Sequence, residues 1–166
     1  MQIDDVRLIA KELQLSFSSQ TRALYFHGMS MHPFLVEGDE MVVVPVSCHD
    51  IHVGDVVTYR FEDKFPTRRV VWKTADHVRL WCDNWPQHRF EASREDVLGR
   101  AVARKRDGRW ITLRDREWQA ARRAALASYV RHVIVPDCLR LPRRIAGRVA
   151  RRLGLRRPRV ARSAES

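Results

Sequence analysis

A single hydroxyl, Ser30, sits between two methionines in the stretch Gly28-Met29-Ser30-Met31-His32-Pro33-Phe34-Leu35, which closes on Gly38-Asp39. Pro33 fixes φ and removes a backbone donor, so the stretch reads as a rigid turn, neither helix nor regular strand. A seryl hydroxyl is a weak nucleophile until a neighbouring base takes its proton. With such a base, the chemistry would be acyl transfer. Taken alone, the residue types favour a plainer reading, a methionine-rich loop plugging a β core, because a lone serine is a weak signal. Met29 and Met31 are expected to be apolar contacts in either case.

The elements that must position Ser30 are short. Residues 5–15 place apolar side chains at Val6, Ile9, Ala10 and Leu13, the spacing of a short amphipathic helix capped by Asp4 or Asp5. Residues 23–26 read as a strand delivering the chain to Ser30. A β-branched run at 41–46 predicts a buried strand, with Pro45 at its edge or end. Further strands are expected at 56–61, 67–72 and 77–81, then a loop over 82–86. The strand at 97–103 carries Gly99, which suggests a bulge. Asp107-Gly108 signals a hairpin leading into 110–113. Many short strands between turn residues argue for an all-β barrel or sandwich. After Asp115 the period becomes helical: Trp118, Arg122, Ala125, Tyr129 and Val133 predict a helix over 116–131, with Pro136 ending that stretch. Leu141, Ile145, Val149 and Leu153 then stripe a basic amphipathic helix.

With 166 residues, one β domain over 1–115 and a helical, Arg-rich extension over 116–166 are expected. The net charge of +11 is concentrated in that extension. Ten arginines and no acid fall between Cys138 and Arg162, so the rest of the chain is nearly neutral. Cys48, Cys82 and Cys138 are widely spaced and form no CxxC, which disfavours zinc and a disulfide framework; no metal and no cofactor is expected. No apolar run is long enough for a transmembrane helix, and the acidic start is not a secretory signal. A cytoplasmic protein is expected.

Five boxes in order carry a resemblance: the Ser30 stretch, Gly38-Asp39, Gly54-Asp55-Val56-Val57-Thr58-Tyr59, Arg68-Arg69-Val70-Val71 and Asp83-Asn84. Over roughly residues 22–104 the chain resembles the signal peptidase I superfamily of S24/S26-type serine peptidases, which includes the self-cleaving SOS-repressor peptidases. The resemblance implies a mainly β, signal-peptidase-type barrel or sandwich, here with a short N-terminal helix and a basic helical C-terminal extension. It places Ser30 at the nucleophile position and Asp83 at an acidic position that supports the site. It also implies a lysine or histidine base directly before the Arg69-Val70 pair. This chain has Arg68 there. A guanidinium stays protonated across the ordinary pH range and does not act as a base near neutral pH.

Arg68 leaves two functional readings: a hydrolase with a substituted base, or a pseudopeptidase that binds a peptide or protein partner in the same groove. The substitute could be Lys64, four residues earlier, or His32 beside the loop, with His27 and His77 more distant. Plainer expectations stand beside these. Lys64 would be a solvated loop charge, and Arg68 would pair with Asp83 or Asp55. Self-cleavage is disfavoured, since the one Ala-Gly pair, Ala146-Gly147, lies in the tail. The expected partners are a peptide or protein substrate and, through the Arg-rich tail, the inner face of an anionic membrane. Nucleic acid is the less favoured partner, because aromatic interleaving is missing after Tyr129.

Overall fold

Runs of β-branched and aromatic residues separated by Gly-Asp and Asp-Gly turns fold into eight antiparallel strands in a computed structural model, which describes residues 21–85 and 87–139. They are β1 (Arg22–Tyr25), β2 (Glu40–Val44), β3 (Val56–Tyr59), β4 (Thr67–Lys73), β5 (His77–Trp81), β6 (Arg89–Ser93), β7 (Val97–Arg106) and β8 (Arg109–Thr112). The sheet order is β1-β2-β7-β3-β4-β5-β6, with β8 paired to β7. The mainly β expectation holds. The helix expected at 5–15 and the basic helix expected beyond Arg140 lie outside the described residues.

Local chemistry explains each join. Met41 to Val44 are all buried, and Pro45, without an N–H to continue the ladder, closes β2. Asp107 and Gly108 both have positive φ, 51° and 77°, as a two-residue type I′ hairpin between β7 and β8 requires. The β3–β7 register slips between Thr58 and Tyr59, so the bulge falls at Leu98, beside Gly99. A Cβ at Gly99 would lie 2.5 Å from the Val44 carbonyl oxygen, so only glycine lets β2 and β7 approach this closely.

Helix α1 (Arg116–Tyr129) buries Trp118 and Tyr129 against the sheet. Trp118 meets Phe34 edge to face at 4.8 Å, and Tyr129 meets Trp81 the same way at 5.5 Å. One strand was not anticipated from the sequence, and one expectation is corrected here. The segment after the 82–86 loop is β6, a strand whose inward residue Ala92 is outnumbered by charged neighbours. The chain also does not stop at Pro136. It passes from α1 through a π-turn at Val130–Ile134 into α2 (Val135–Leu139), where Pro136 occupies the first turn and needs no N–H partner.

Candidate functional site

Ser30 is held by a loop whose neck is tied shut. The Phe26 N–H donates to the Asp39 carbonyl at 2.8 Å, and the Gly38 N–H donates to the Phe26 carbonyl at 3.0 Å. Below this neck, Met31, Phe34 and Leu35 plug the core, as the plainer reading expected. Met29 does not: it is 58% exposed and faces the opposite way. The loop therefore plugs the core on one side and opens on the other. Its His32-Pro33 bond is cis.

The acidic residues of the boxes stabilise this scaffold. Asp39 is buried and accepts from Arg106 Nε at 2.8 Å and Nη2 at 2.6 Å, and from the Val36 N–H at 3.0 Å. Asp55 accepts from the His52 N–H at 2.8 Å and from Arg100 at 3.3 Å. Asp83 accepts from Arg69 Nε at 2.8 Å and Nη2 at 2.5 Å, and Arg69 Nη1 reaches the Gly54 carbonyl at 2.9 Å. Buried charges need such partners, because their desolvation is otherwise uncompensated. Arg69 also stacks on Phe34, 4.9 Å from the ring centre, so the Asp83–Arg69 pair supports the serine loop from beneath. The Asn84 N–H donates to the Ser30 carbonyl at 3.2 Å, pinning the loop from the side.

Arg68 pairs with neither Asp83 nor Asp55, which corrects the ion-pair expectation. Strand alternation sends it to the face opposite Arg69. There its Nη1 donates to Ser30 Oγ at 2.6 Å and to the Thr67 carbonyl at 2.7 Å. Its carbon centre lies 5.2 Å from the Phe90 ring centre, a cation–π contact. Its Nε is buried without a hydrogen-bond partner. The charge is felt nearby. Burial pushes the Cys82 thiol and the Tyr59 hydroxyl above their ordinary pKa values, and in both cases Arg68 opposes the rise.

Ser30 and Arg68 share the wall of an open cleft of about 550 Å³. Lys64 lines the same cleft, as does His27, while His32 and His77 do not. His27 Nδ1 lies 2.9 Å from Glu37 Oε1. The Gly28 N–H, and after it His27, hold the Glu37 carboxyl below the usual carboxylate range. The remaining walls include Tyr25, Met29, Phe65 and Trp85, all exposed. The His27–Glu37 contact and this apolar rim were not read from the sequence. Phe65-Pro66 after the turn at Lys64 was the available signal for the rim.

Chemically, the hydroxyl accepts from a cation that has no lone pair to take its proton. Among the described residues, Arg68 is its hydrogen-bond partner. A proton acceptor for Ser30 would have to come from Lys64 or His27, which face the same space. No group of three metal-ligating side chains occurs among the described residues, and none of their helices is long and apolar enough to cross a membrane. The sequence model of the family described as Peptidase S24-like matches residues 2–102. No curated protein matches the chain.

Proposed function

The chain belongs to the Peptidase S24-like family, and from that premise we propose that it is a serine-peptidase-like protein acting on peptide or protein segments, with Ser30 as the reacting hydroxyl. One observation carries the reading: Ser30, on a loop anchored from beneath, lines an open, apolar-rimmed cleft. An extended segment would add to the outer edge of β1, the end of the sheet among the described residues, whose Leu24 and Tyr25 line that cleft together with Phe26 just after the strand. In the reaction, the Ser30 oxygen bonds to a peptide carbonyl carbon as the carbon–nitrogen bond breaks. The hydroxyl proton passes through Lys64 or His27 to the leaving amine, and water then releases the acyl group.

A serine-directed acylating probe tests this. Labelling of wild type that disappears in Ser30→Ala supports the hydrolase, and a wild-type protein that never labels at Ser30 removes it. A second reading, binding without cutting, would draw on the 2.6 Å bond between Ser30 Oγ and the Arg68 guanidinium. It predicts a protein that does not label yet binds peptide.

The Arg-rich stretch from Cys138 to Arg162 is proposed to rest on an anionic membrane surface. Deleting residues 138–166 should abolish binding to phosphatidylserine vesicles. Retained binding by the shortened protein would defeat the membrane proposal.

A further inference from the structure

The Ser30 cleft has a charge imbalance that neither cleavage nor simple groove binding explains. Its lining includes two cations, Arg68 and Lys64, and no carboxylate. His27 is the third basic group there, and its carboxylate partner Glu37 stands outside the lining. Arg68 itself forms no ion pair with any described acid. Its nearest structural competitor for an acid, Arg69, already holds Asp83 through three hydrogen bonds. Among the described residues, Arg68 donates only through Nη1, to Ser30 Oγ and the Thr67 carbonyl. Among the described residues the rest of the guanidinium has no acceptor, its Nε being buried, and a cation held partly out of water in this way favours an anion beside it.

We infer that the cleft recognises the free C-terminal carboxylate of an extended apolar peptide, with Arg68 as the carboxylate-binding residue and the Ser30 hydroxyl donating to the same group. The inference rests on the peptide-cleft reading above and specifies its ligand. Each element has a place in the geometry. Tyr25, Met29, Phe65 and Trp85 offer apolar contact to the side chains before the terminus. Ser30 Oγ accepts from Arg68, so its own proton is available to a carboxylate oxygen. Phe90 packs beside the guanidinium, its ring centre 5.2 Å from the Arg68 carbon, which limits the freedom lost when the acid arrives. A peptide terminus fits better than an internal acidic side chain, because Ser30 and Arg68 line the same cleft as Leu24 and Tyr25 of β1, along which the peptide backbone would run. The volume of about 550 Å³ suits a few residues of chain.

The test is fluorescence anisotropy of the full chain with fluorescein-labelled octapeptide pools of Ala, Val, Leu and Phe. One pool ends in a free acid, one in an amide, and a third is amidated with an internal Glu. The free-acid pool should bind about tenfold or more tightly than the amide, the effect of a charge-assisted hydrogen bond. Arg68→Gln should bring that ratio to about one, and Arg68→Lys should restore part of it. Equal binding of free-acid and amide pools to wild type would overturn the carboxylate inference while leaving the peptide cleft standing. Tighter binding of the internal-Glu pool would overturn it too. Failure of all three pools to bind would remove the cleft reading and this inference together.

Discussion

Arg68 and Arg69 are neighbours in β4 with opposite surroundings. Arg69 points into the protein, is fully buried, and gives its hydrogens to Asp83 and the Gly54 carbonyl. Arg68 points to the cleft, shares one nitrogen between a serine and a backbone carbonyl, and keeps a buried Nε without a partner. The side chains are chemically identical, so the difference comes from the pleat. One face of the strand meets a carboxylate and the other meets an open wall. A neutralised charge supports the architecture. An uncompensated charge at a cleft is available for a ligand.

Substitutions at the two arginines should separate those roles. The largest effect is expected from Arg69→Met. It leaves Asp83 buried and unpaired, so thermal or urea unfolding should show a loss of about 3–5 kcal/mol. Adding Asp83→Leu should recover much of that loss. A single Arg69→Met that melts like wild type would break the comparison. Next comes Arg68→His, which puts a group able to accept a proton beside Ser30. Hydrolysis of a peptide pool should rise by about a hundredfold, the lower range for a positioned general base. No rise would mean that Ser30 lacks more than a base. Smaller still, Arg68→Gln should change stability by less than about 1 kcal/mol, since no ion pair is lost.

The smallest effect is a pH trend. Burial raises the Cys82 and Tyr59 pKa values, while Arg68 opposes the rise. Raised folded-state values favour the protonated groups. Their stabilisation is therefore complete below the ordinary thiol value, about 8.5, and is lost as pH climbs through the folded ones. Cys82→Ala should delay the alkaline decline in melting temperature. Arg68→Gln should move the wild-type thiol titration further up.

Much of the strand layout was legible because it follows from β-branched runs and turn residues. Met41–Val44, the Asp107-Gly108 hairpin and the β3–β4 pairing all have local causes. The β6 strand was not legible: Arg89 and Glu91 are both exposed, leaving only Phe90 and Ala92 as weak apolar signals. Pro136 misled because a π-turn resets the hydrogen-bond phase just before it, a tertiary feature with no composition of its own. At the site, the serine loop was readable from Pro33 and its apolar flanks. The partner of each arginine was not, because Asp83 lies 14 positions from Arg69 and only the sheet register says which of two adjacent arginines faces it.

Phe34 touches both the buried Arg69 and Trp118 of α1, a helix that begins 14 residues after the family match ends at 102. A gene trimmed at that boundary would cut through β7, discard β8, and leave Phe34 and Trp81 without their aromatic lids. Side chains as far along as Tyr129 thus pack against the framework that carries Ser30. Grafting the serine box into another scaffold would need a tryptophan-bearing buttress along with it.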